Sequence, residues 1–247
     1  MSTNLMFTHP NGKFWKAQFR RMIDELDVHK WVVGFEVGKD GYRHLQGRLR
    51  VSMGETDAFT AVKKYLPMAH IEKCSDTWEY ERKSGRFLSS EDTPEIRAVR
   101  FGQPRDEQVY WMAKAEEQGD RGITVVFDKQ GNHGKSWLCN WLYERNIGFY
   151  VPPTIDTVKG MIQWIASGYN HEPFIVIDIP RSWKWSEQLY VAIESIKDGL
   201  VYDTRYHSQI RNIRGVKIIV FTNEYPKLGR LSEDRWDIIE ADGEPQS

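Results

Sequence analysis

The stretch His44-Leu45-Gln46-Gly47-Arg48-Leu49-Arg50-Val51 alternates polar and apolar residues with a period of two, the pattern of a half-buried β-strand. Leu45, Leu49 and Val51 are expected to face a core, and His44, Gln46, Arg48 and Arg50 to face outward together. One face would then carry an imidazole and an amide two residues apart, followed by two guanidiniums. A nitrogen and an oxygen at that spacing suit adjacent positions on a divalent ion, and the arginines suit a polyanion. By itself such a histidine is more often an ordinary surface residue. Glu36 on the preceding strand, with Tyr80 and Lys83 downstream, changes that reading.

Outward from this strand, residues 5–8 read as a short strand that His9-Pro10-Asn11-Gly12 would turn. Apolar residues at 14, 15, 19, 22, 23 and 26 form a helical stripe beginning at Phe14. Residues 30–37 read as a strand, and Gly38-Lys39-Asp40-Gly41 folds it against the His44 strand as a hairpin. A helix over 56–65, a strand over 68–72 and a short helix over 76–83 complete an α+β domain with an antiparallel sheet, residues 1–90. Polar residues dominate 91–105, which reads as a linker. Beyond it, a helix over 106–118 leads into apolar strands at 123–127, 149–151, 174–179 and 216–221. These alternate with helices at 136–144, 155–167 and 187–198. That alternation indicates an α/β domain with a mostly parallel sheet, residues 106–247.

Composition agrees with two folded domains. Of 247 residues, 40% are hydrophobic, including 10 Trp, 11 Tyr and 11 Phe, enough for two real cores. A net charge of -1 excludes a generic basic nucleic-acid coat, so any nucleic-acid binding must use local patches. The 2 cysteines, Cys74 and Cys139, lie far apart and suggest free thiols in a reducing compartment. No apolar run reaches membrane-spanning length or resembles a signal peptide, so no membrane partner is expected.

In the first domain, Glu36, His44 and Gln46 offer two oxygens and one nitrogen, a set suited to Mn²⁺ or Mg²⁺ rather than zinc. Three protein ligands leave positions for a phosphate oxygen, which the ion would polarise. Tyr80 and Lys83 share a face at i and i+3 on the expected helix. A phenol with a pKa of roughly 10 is a poor nucleophile. A metal-held phosphodiester and a nearby ammonium would make it competent, and attack would leave a phosphotyrosine linkage. Taken alone, the two residues read as an ordinary surface pair.

Phe7-Thr8, His44-Leu45-Gln46-Gly47, His70-Ile71-Glu72 and Tyr80-x-x-Lys83 together resemble, in order, the motifs of HUH-type rolling-circle replication initiators, the Rep proteins of circular single-stranded DNA viruses and their satellites. The resemblance implies that His44 and Gln46 are metal ligands, with Gln in place of the more common second His. It implies that Glu36 is the acidic ligand, with Glu72 as the alternative, that Tyr80 is the nicking nucleophile, and that Lys83 is its helper.

A second motif follows the strand at 123–127. Gly131-Asn132-His133-Gly134-Lys135-Ser136 sits between a strand and a helix, where backbone N–H groups and a helix N-terminus can face an anion. Lys135 would reach the β- and γ-phosphates of ATP and Ser136 would hold Mg²⁺. Lys129 stands where the general phosphate-loop pattern has another glycine. The form Gly-Asn-x-Gly-Lys-Ser nevertheless resembles that of superfamily 3 helicases in viral Reps. Asp178 comes at the end of the apolar run Phe174-Ile175-Val176-Ile177 and suits a second Mg²⁺ contact. Ile179 follows it where many relatives carry another acid, and Asp178-Ile179-Pro180-Arg181 resembles the nanovirus and satellite version. Glu187, Glu194 and Glu224 are then candidates for orienting water. Asn223 resembles the family's sensor residue. Arg235, in Leu231-Ser232-Glu233-Asp234-Arg235, is a candidate arginine finger acting on a neighbouring subunit, against the plainer reading of a buried Arg–Asp pair.

These readings combine into a replication initiator that nicks and rejoins origin single-stranded DNA through a 5′-phosphotyrosine, with a helicase-like ATPase behind it. The resemblance implies an origin stem-loop, ATP, host replication proteins and further copies of the chain as partners. It implies the host nucleus for a eukaryotic virus or satellite, and the cytoplasm for a bacterial plasmid relative. One rival is a P-loop NTPase with a nucleic-acid-binding, non-cleaving N-terminal domain. Another is a P-loop kinase or ATPase with an RNA-binding front that uses Trp31, Phe35 and Tyr42 as stacking platforms.

Overall fold

The computed structural model describes residues 2–12, 15–205 and 208–241, and the chain divides into two compact units, Met1–Gly102 and Gln103–Ser247. The first holds five antiparallel strands: β1 (Thr3–Pro10), β2 (Lys30–Val37), β3 (Arg43–Val51), β4 (His70–Lys73) and β5 (Phe87–Ser89). Their order across the sheet is β4-β1-β3-β2-β5. Helices α1 (Trp15–Glu25) and α2 (Glu55–Tyr65) cover one face. Phe14, the expected start of α1, lies outside the described residues.

The two-residue alternation decides which face is covered. Leu5, Phe7, Val33, Leu45 and Leu49 meet Phe19 and Met22 of α1 and Ala58 and Val62 of α2 in one core. Gly47 of β3 lies opposite Phe7 of β1, and a Cβ there would come within 2.1 Å of the Phe7 ring. The glycine thus makes room for an aromatic ring in the core. Trp31 and Phe35 pack against this same core rather than standing free as stacking platforms, and only Tyr42 of that trio is exposed.

The opposite face differs from the expectation. Gln46 and Arg48 are buried because the segment between β4 and β5 lies across them. Within that segment the expected helix is only a 3-10 turn, Tyr80–Arg82. Arg48 binds the Ser75 carbonyl at 2.6 Å, Arg50 binds the Asp76 carboxylate, and Asp76 also accepts from the Trp78 indole. Side chains that bond locally in this way favour turns over helix. The two arginines expected to meet a polyanion are therefore engaged within the unit.

The expected linker also carries structure. Thr93 caps helix α3 (Pro94–Arg100), accepting from the Ile96 N–H at 3.2 Å, and Pro94 occupies the first turn, where its missing N–H costs nothing. Arg100 makes a two-pronged bond to Asp92, 2.8 Å for each prong, and its guanidinium stacks 3.6 Å from the Phe87 ring centroid. Burial pushes the Asp92 carboxyl up, but the bonds from Arg100 and the Ser89 N–H bring it below its ordinary value.

The second unit has a five-stranded sheet of β6 (Ile123–Phe127), β7 (Gly148–Val151), β8 (Phe174–Asp178), β11 (Lys217–Thr222) and β12 (Trp236–Glu240). Every pairing is parallel, in the order β12-β6-β11-β8-β7. Strands buried on both faces explain the unbroken apolar runs. Ile175, Ile177, Ile218 and Val220 face α6 (Val158–Gly168) and α7 (Glu187–Asp198). Phe174, Val176, Ile219 and Phe221 face α4 (Asp106–Glu116) and α5 (Lys135–Glu144). A hairpin of β9 (Leu200–Asp203) and β10 (Gln209–Asn212) was not expected from the sequence, nor was β12. Among the described residues no helix is long and apolar enough to cross a membrane.

Lys197 of α7 is a buried cation, 1% exposed, whose ammonium donates to the Gln118 amide at 3.1 Å and the Val216 carbonyl at 2.7 Å. Burial lowers its pKa to about 8, against 10.5 for a free lysine. The unfolded chain therefore binds more protons between these values, so this group makes stability rise with pH across that window and leaves it flat below. The shift corresponds to roughly 3 kcal/mol. Denaturant unfolding at a series of pH values should show wild type gaining that amount relative to Lys197→Met above about pH 8, with parallel curves below. Parallel curves throughout would contradict it.

Candidate active sites

The β2–β3 register sets the first site. Glu36 lies directly opposite His44, so their side chains share one face of adjacent strands. Glu36 Oε2 lies 3.7 Å from His44 Nε2 and 3.1 Å from Lys83 Nζ. Glu36 Oε1 is buried with no hydrogen-bond partner. One strand further on, Gln46 lies opposite Thr8, whose hydroxyl donates to Gln46 Oε1 at 2.8 Å. Tyr42 stacks on His44 with ring centroids 5.9 Å apart, and its carbonyl lies 3.4 Å from His44 Nδ1. With Nδ1 turned to that carbonyl, Nε2 is the nitrogen that faces Glu36.

This donor set fits a divalent ion of the Mn²⁺ or Mg²⁺ kind. A buried carboxylate oxygen without a partner calls for a cation, and an amide oxygen retains a second lone pair after accepting from Thr8. Among the described residues no three His, Cys, Asp or Glu side chains gather as a metal cluster, so a third protein ligand here would have to be of another type, and the Gln46 amide is the candidate. The alternative acid, Glu72, lies on β4, separated from β3 by β1, and His70 Nε2 is 2.5 Å from its carboxylate. Geometry gathers Glu36, and not Glu72, with His44.

Tyr80 is 54% exposed at the start of the 3-10 turn, and Lys83 Nζ lies 3.7 Å from its ring centroid. In a 3-10 turn, residues i and i+3 eclipse one another, which brings the pair closer than an α-helix would. Burial lowers the pKa of Lys83, but hydrogen bonds to Tyr80 and Glu36 outweigh it and hold the value above the ordinary one. The ammonium thus joins the phenol to the Glu36 carboxylate.

Three residues outside the sequence motifs hold this turn. Arg48, 5% exposed, donates from Nε to Glu81 Oε1 at 3.0 Å, and Glu81 is fully buried beside Tyr80. Gly34 allows the close approach, since a Cβ there would lie 2.2 Å from the Glu81 carbonyl oxygen. The contact joins residues 33 positions apart, so only the position of Glu81 beside Tyr80 hinted at it. Arg48→Met would leave a buried carboxylate whose other oxygen is already unpartnered. A loss of about 3–5 kcal/mol in denaturant unfolding is expected, against under about 1 kcal/mol for Arg50→Met, which breaks a partly exposed pair. Equal small losses would contradict the clasp.

The second site lies at the C-terminal edge of the parallel sheet. Between β6 and α5, Gly131, Asn132 and Gly134 have φ of 87°, 72° and 72°, left-handed values that turn backbone N–H groups to the inside of a loop. Asp128 anchors it, accepting from the Gly131 N–H at 2.6 Å and from Lys135 Nζ at 2.5 Å, with His133 Nδ1 at 3.1 Å. Burial pushes the Asp128 carboxyl up, but these bonds bring it below its ordinary value. Gln108 of α4 supports the loop by donating to the Gly134 carbonyl at 3.0 Å. Neither Asp128 nor Gln108 was singled out in the sequence, although Asp128 directly follows the strand.

Ser136 and Asp178, expected to share Mg²⁺, are together: the hydroxyl donates to Asp178 Oδ2 at 3.2 Å. Both line a cavity of 440 Å³ with Cys139, Asn140, Tyr143 and Tyr150. Burial raises the Asp178 carboxyl, a desolvation that a bound cation would relieve. Asn223 follows β11, which lies between β6 and β8, and its amide donates to the Asp128 carbonyl. Of the candidate water-orienting acids, Glu187 is paired with Arg230 at 2.6 Å and Glu194 with Arg235 at 3.3 Å. Glu224 lines a second cavity beside Asn223.

Arg235 does not fit the arginine finger. It is 3% exposed and bound to Asp198 at 2.9 Å, the plainer of the two readings. It immediately precedes β12, whose first residue pairs with Ile123 at the start of β6. That is the end of the sheet opposite the phosphate loop, and the guanidinium is engaged by carboxylates of its own unit.

No protein-family model matches the chain. It is similar to the Master replication protein of Banana bunchy top virus, 30% identical over 88% of this chain and 92% of that relative. It is also similar to the Master replication protein of Subterranean clover stunt virus, 30% identical over 71% of this chain, and to Para-Rep C10 of Milk vetch dwarf C10 alphasatellite, 34% identical over 50% of it. The chain belongs to the family of nanovirus Master replication proteins and alphasatellite Rep proteins, the rolling-circle replication initiators of circular single-stranded DNA viruses. The match with the clover virus protein spans 59% of that relative's length, and the match with the Faba bean necrotic yellows virus protein spans 57%.

Proposed function

We propose that the chain initiates rolling-circle replication: the first unit nicks and rejoins origin single-stranded DNA through Tyr80, and the second hydrolyses ATP to assist unwinding. The observation that carries the nicking reading is Glu36, with one oxygen between His44 and Lys83 and the other buried without a partner. Glu36, His44 and Gln46 would hold Mn²⁺ or Mg²⁺, which supplies Lewis-acid polarisation of a phosphodiester when bound. Tyr80 Oη attacks phosphorus, the bond from phosphorus to the 3′ oxygen breaks, and that oxygen leaves as a 3′-hydroxyl. The phenol proton passes to solvent. Lys83, an ammonium at neutral pH, balances the charge that develops on the phenol oxygen and aligns it. Rejoining reverses the step, with a 3′-hydroxyl attacking the phosphotyrosine.

For the ATPase, support comes from the loop of inward N–H groups, the cation of Lys135, and Ser136 beside Asp178. Lys135 is bound to Asp128 and would exchange that carboxylate for a phosphate. An origin stem-loop, host replication proteins and self-association remain part of this reading. The relatives belong to plant viruses and their satellites, which agrees with a eukaryotic host, and the nucleus of that host is where this reading places the chain.

Reciprocal variants test the assignment. On Mn²⁺ with labelled stem-loop strands, Tyr80→Phe should abolish covalent capture on a denaturing gel while ATP turnover stays at the wild-type rate. Lys135→Ala should do the reverse, losing turnover by about 10²-fold or more while capture persists. Capture by the Phe variant would move the nucleophile elsewhere. A wild-type chain that binds the strands but never becomes attached to them would favour a non-cleaving first unit.

A further inference from the structure

With Arg235 engaged by carboxylates of its own unit, the ATP site still needs a cation for the charge that develops on the terminal phosphate. Arg181 stands beside the loop. It follows Asp178 by three residues, and its Nη2 donates to the Gln130 carbonyl at 2.9 Å. It approaches the loop so closely that a Cβ on Gly131 would lie 2.6 Å from the guanidinium. Its other donors meet no carboxylate among the described residues, unlike those of Arg235, Arg48 and Arg100. A cavity of 360 Å³ opens here, lined by Lys129, Arg181, Trp183, Lys184, Asn223 and Glu224. The fork of a guanidinium suits phosphate oxygens, and a single carbonyl satisfies only one of its five donors.

We propose that Arg181 is the arginine that acts on nucleotide within its own subunit, exchanging the Gln130 carbonyl for the terminal phosphate of ATP. The proposal rests on reading the second unit as an ATPase. In the reaction, the oxygen of a water molecule bonds to the terminal phosphorus as the bond from that phosphorus to the β–γ bridging oxygen breaks, and ADP leaves with the electron pair. One proton of the water stays on the inorganic phosphate. The other passes to solvent by way of Glu224, the carboxylate in the same cavity. Arg181 donates to the oxygens of the phosphoryl group in flight, where a preorganised charge counts most.

The test uses the full chain and compares wild type, Arg181→Gln and Arg181→Lys. Gln can keep a hydrogen bond to the Gln130 carbonyl but removes the charge. Calorimetry with MgADP and with a non-hydrolysable MgATP analogue reads binding, and phosphate release reads turnover. For Arg181→Gln, affinity for MgADP should match wild type, and affinity for the analogue should fall roughly ten- to hundredfold. Turnover should fall by about 10²-fold or more, with partial recovery in Arg181→Lys. Turnover per subunit of the wild type should not change on dilution. Equal weakening of ADP and analogue would make Arg181 a mere support of the loop, and unchanged turnover would remove it from the reaction. Either result overturns the proposal. Failure of wild type to bind either nucleotide would sink the ATPase reading itself, a result distinct from a binding-competent chain indifferent to Arg181.

Discussion

Glu36 opposite His44 across β2 and β3 is the pairing on which the first site depends. Directly paired residues on adjacent strands project to the same face, so the register alone brings a carboxylate and an imidazole together. A slip of one residue would send the whole polar set into the core and the apolar set to the surface. That slip is prevented from the other side of the sheet, where Phe7 needs the space left by Gly47 and Leu45 and Leu49 fill the core. Packing on one face therefore holds the chemistry on the other. The geometry of Glu36 and His44 is a consequence of core complementarity, and the Tyr80 turn is then fastened to this sheet by Arg48, Glu81 and Gly34.

The second unit uses a different constraint. All pairings of its five-stranded sheet run parallel, so the loops after β6, β8 and β11 leave the same edge of that sheet. Lys135, Asp178 and Asn223 come from distant parts of the chain and meet there for that reason. Arg235 precedes a strand rather than following one, which places it at the opposite edge. The same rule brings Arg181 to the edge that carries the glycine-rich loop, just beyond the end of β8.

Much of this was legible because the signals are local. Periodicity gave β2 at its observed bounds, and β6 likewise, since each is a single buried run between turn residues. The loop between β6 and α5 was legible from glycines, whose left-handed φ no other common residue adopts as readily. Contacts over long separations were not legible. The alternation of β3 told which side chains share a face, but not that a later segment would cover Gln46 and Arg48. Thr77-Trp78-Glu79-Tyr80 reads as helix until the bonds from Arg48 and Asp76 are known to hold it as a turn. Arg100 and Asp92 likewise turn an expected linker into a helix bound to β5.

The central claim is that one phenol, poised by Lys83 beside the Glu36–His44–Gln46 set, becomes bonded to DNA. The most direct measurement is peptide mapping by mass spectrometry of the wild-type chain after reaction with a stem-loop strand and Mn²⁺. The account predicts that the nucleotide adduct falls on the tryptic peptide of residues 74–82, with fragmentation placing it on Tyr80. An adduct on another tyrosine, or cleaved DNA with no adduct on any peptide, would contradict it.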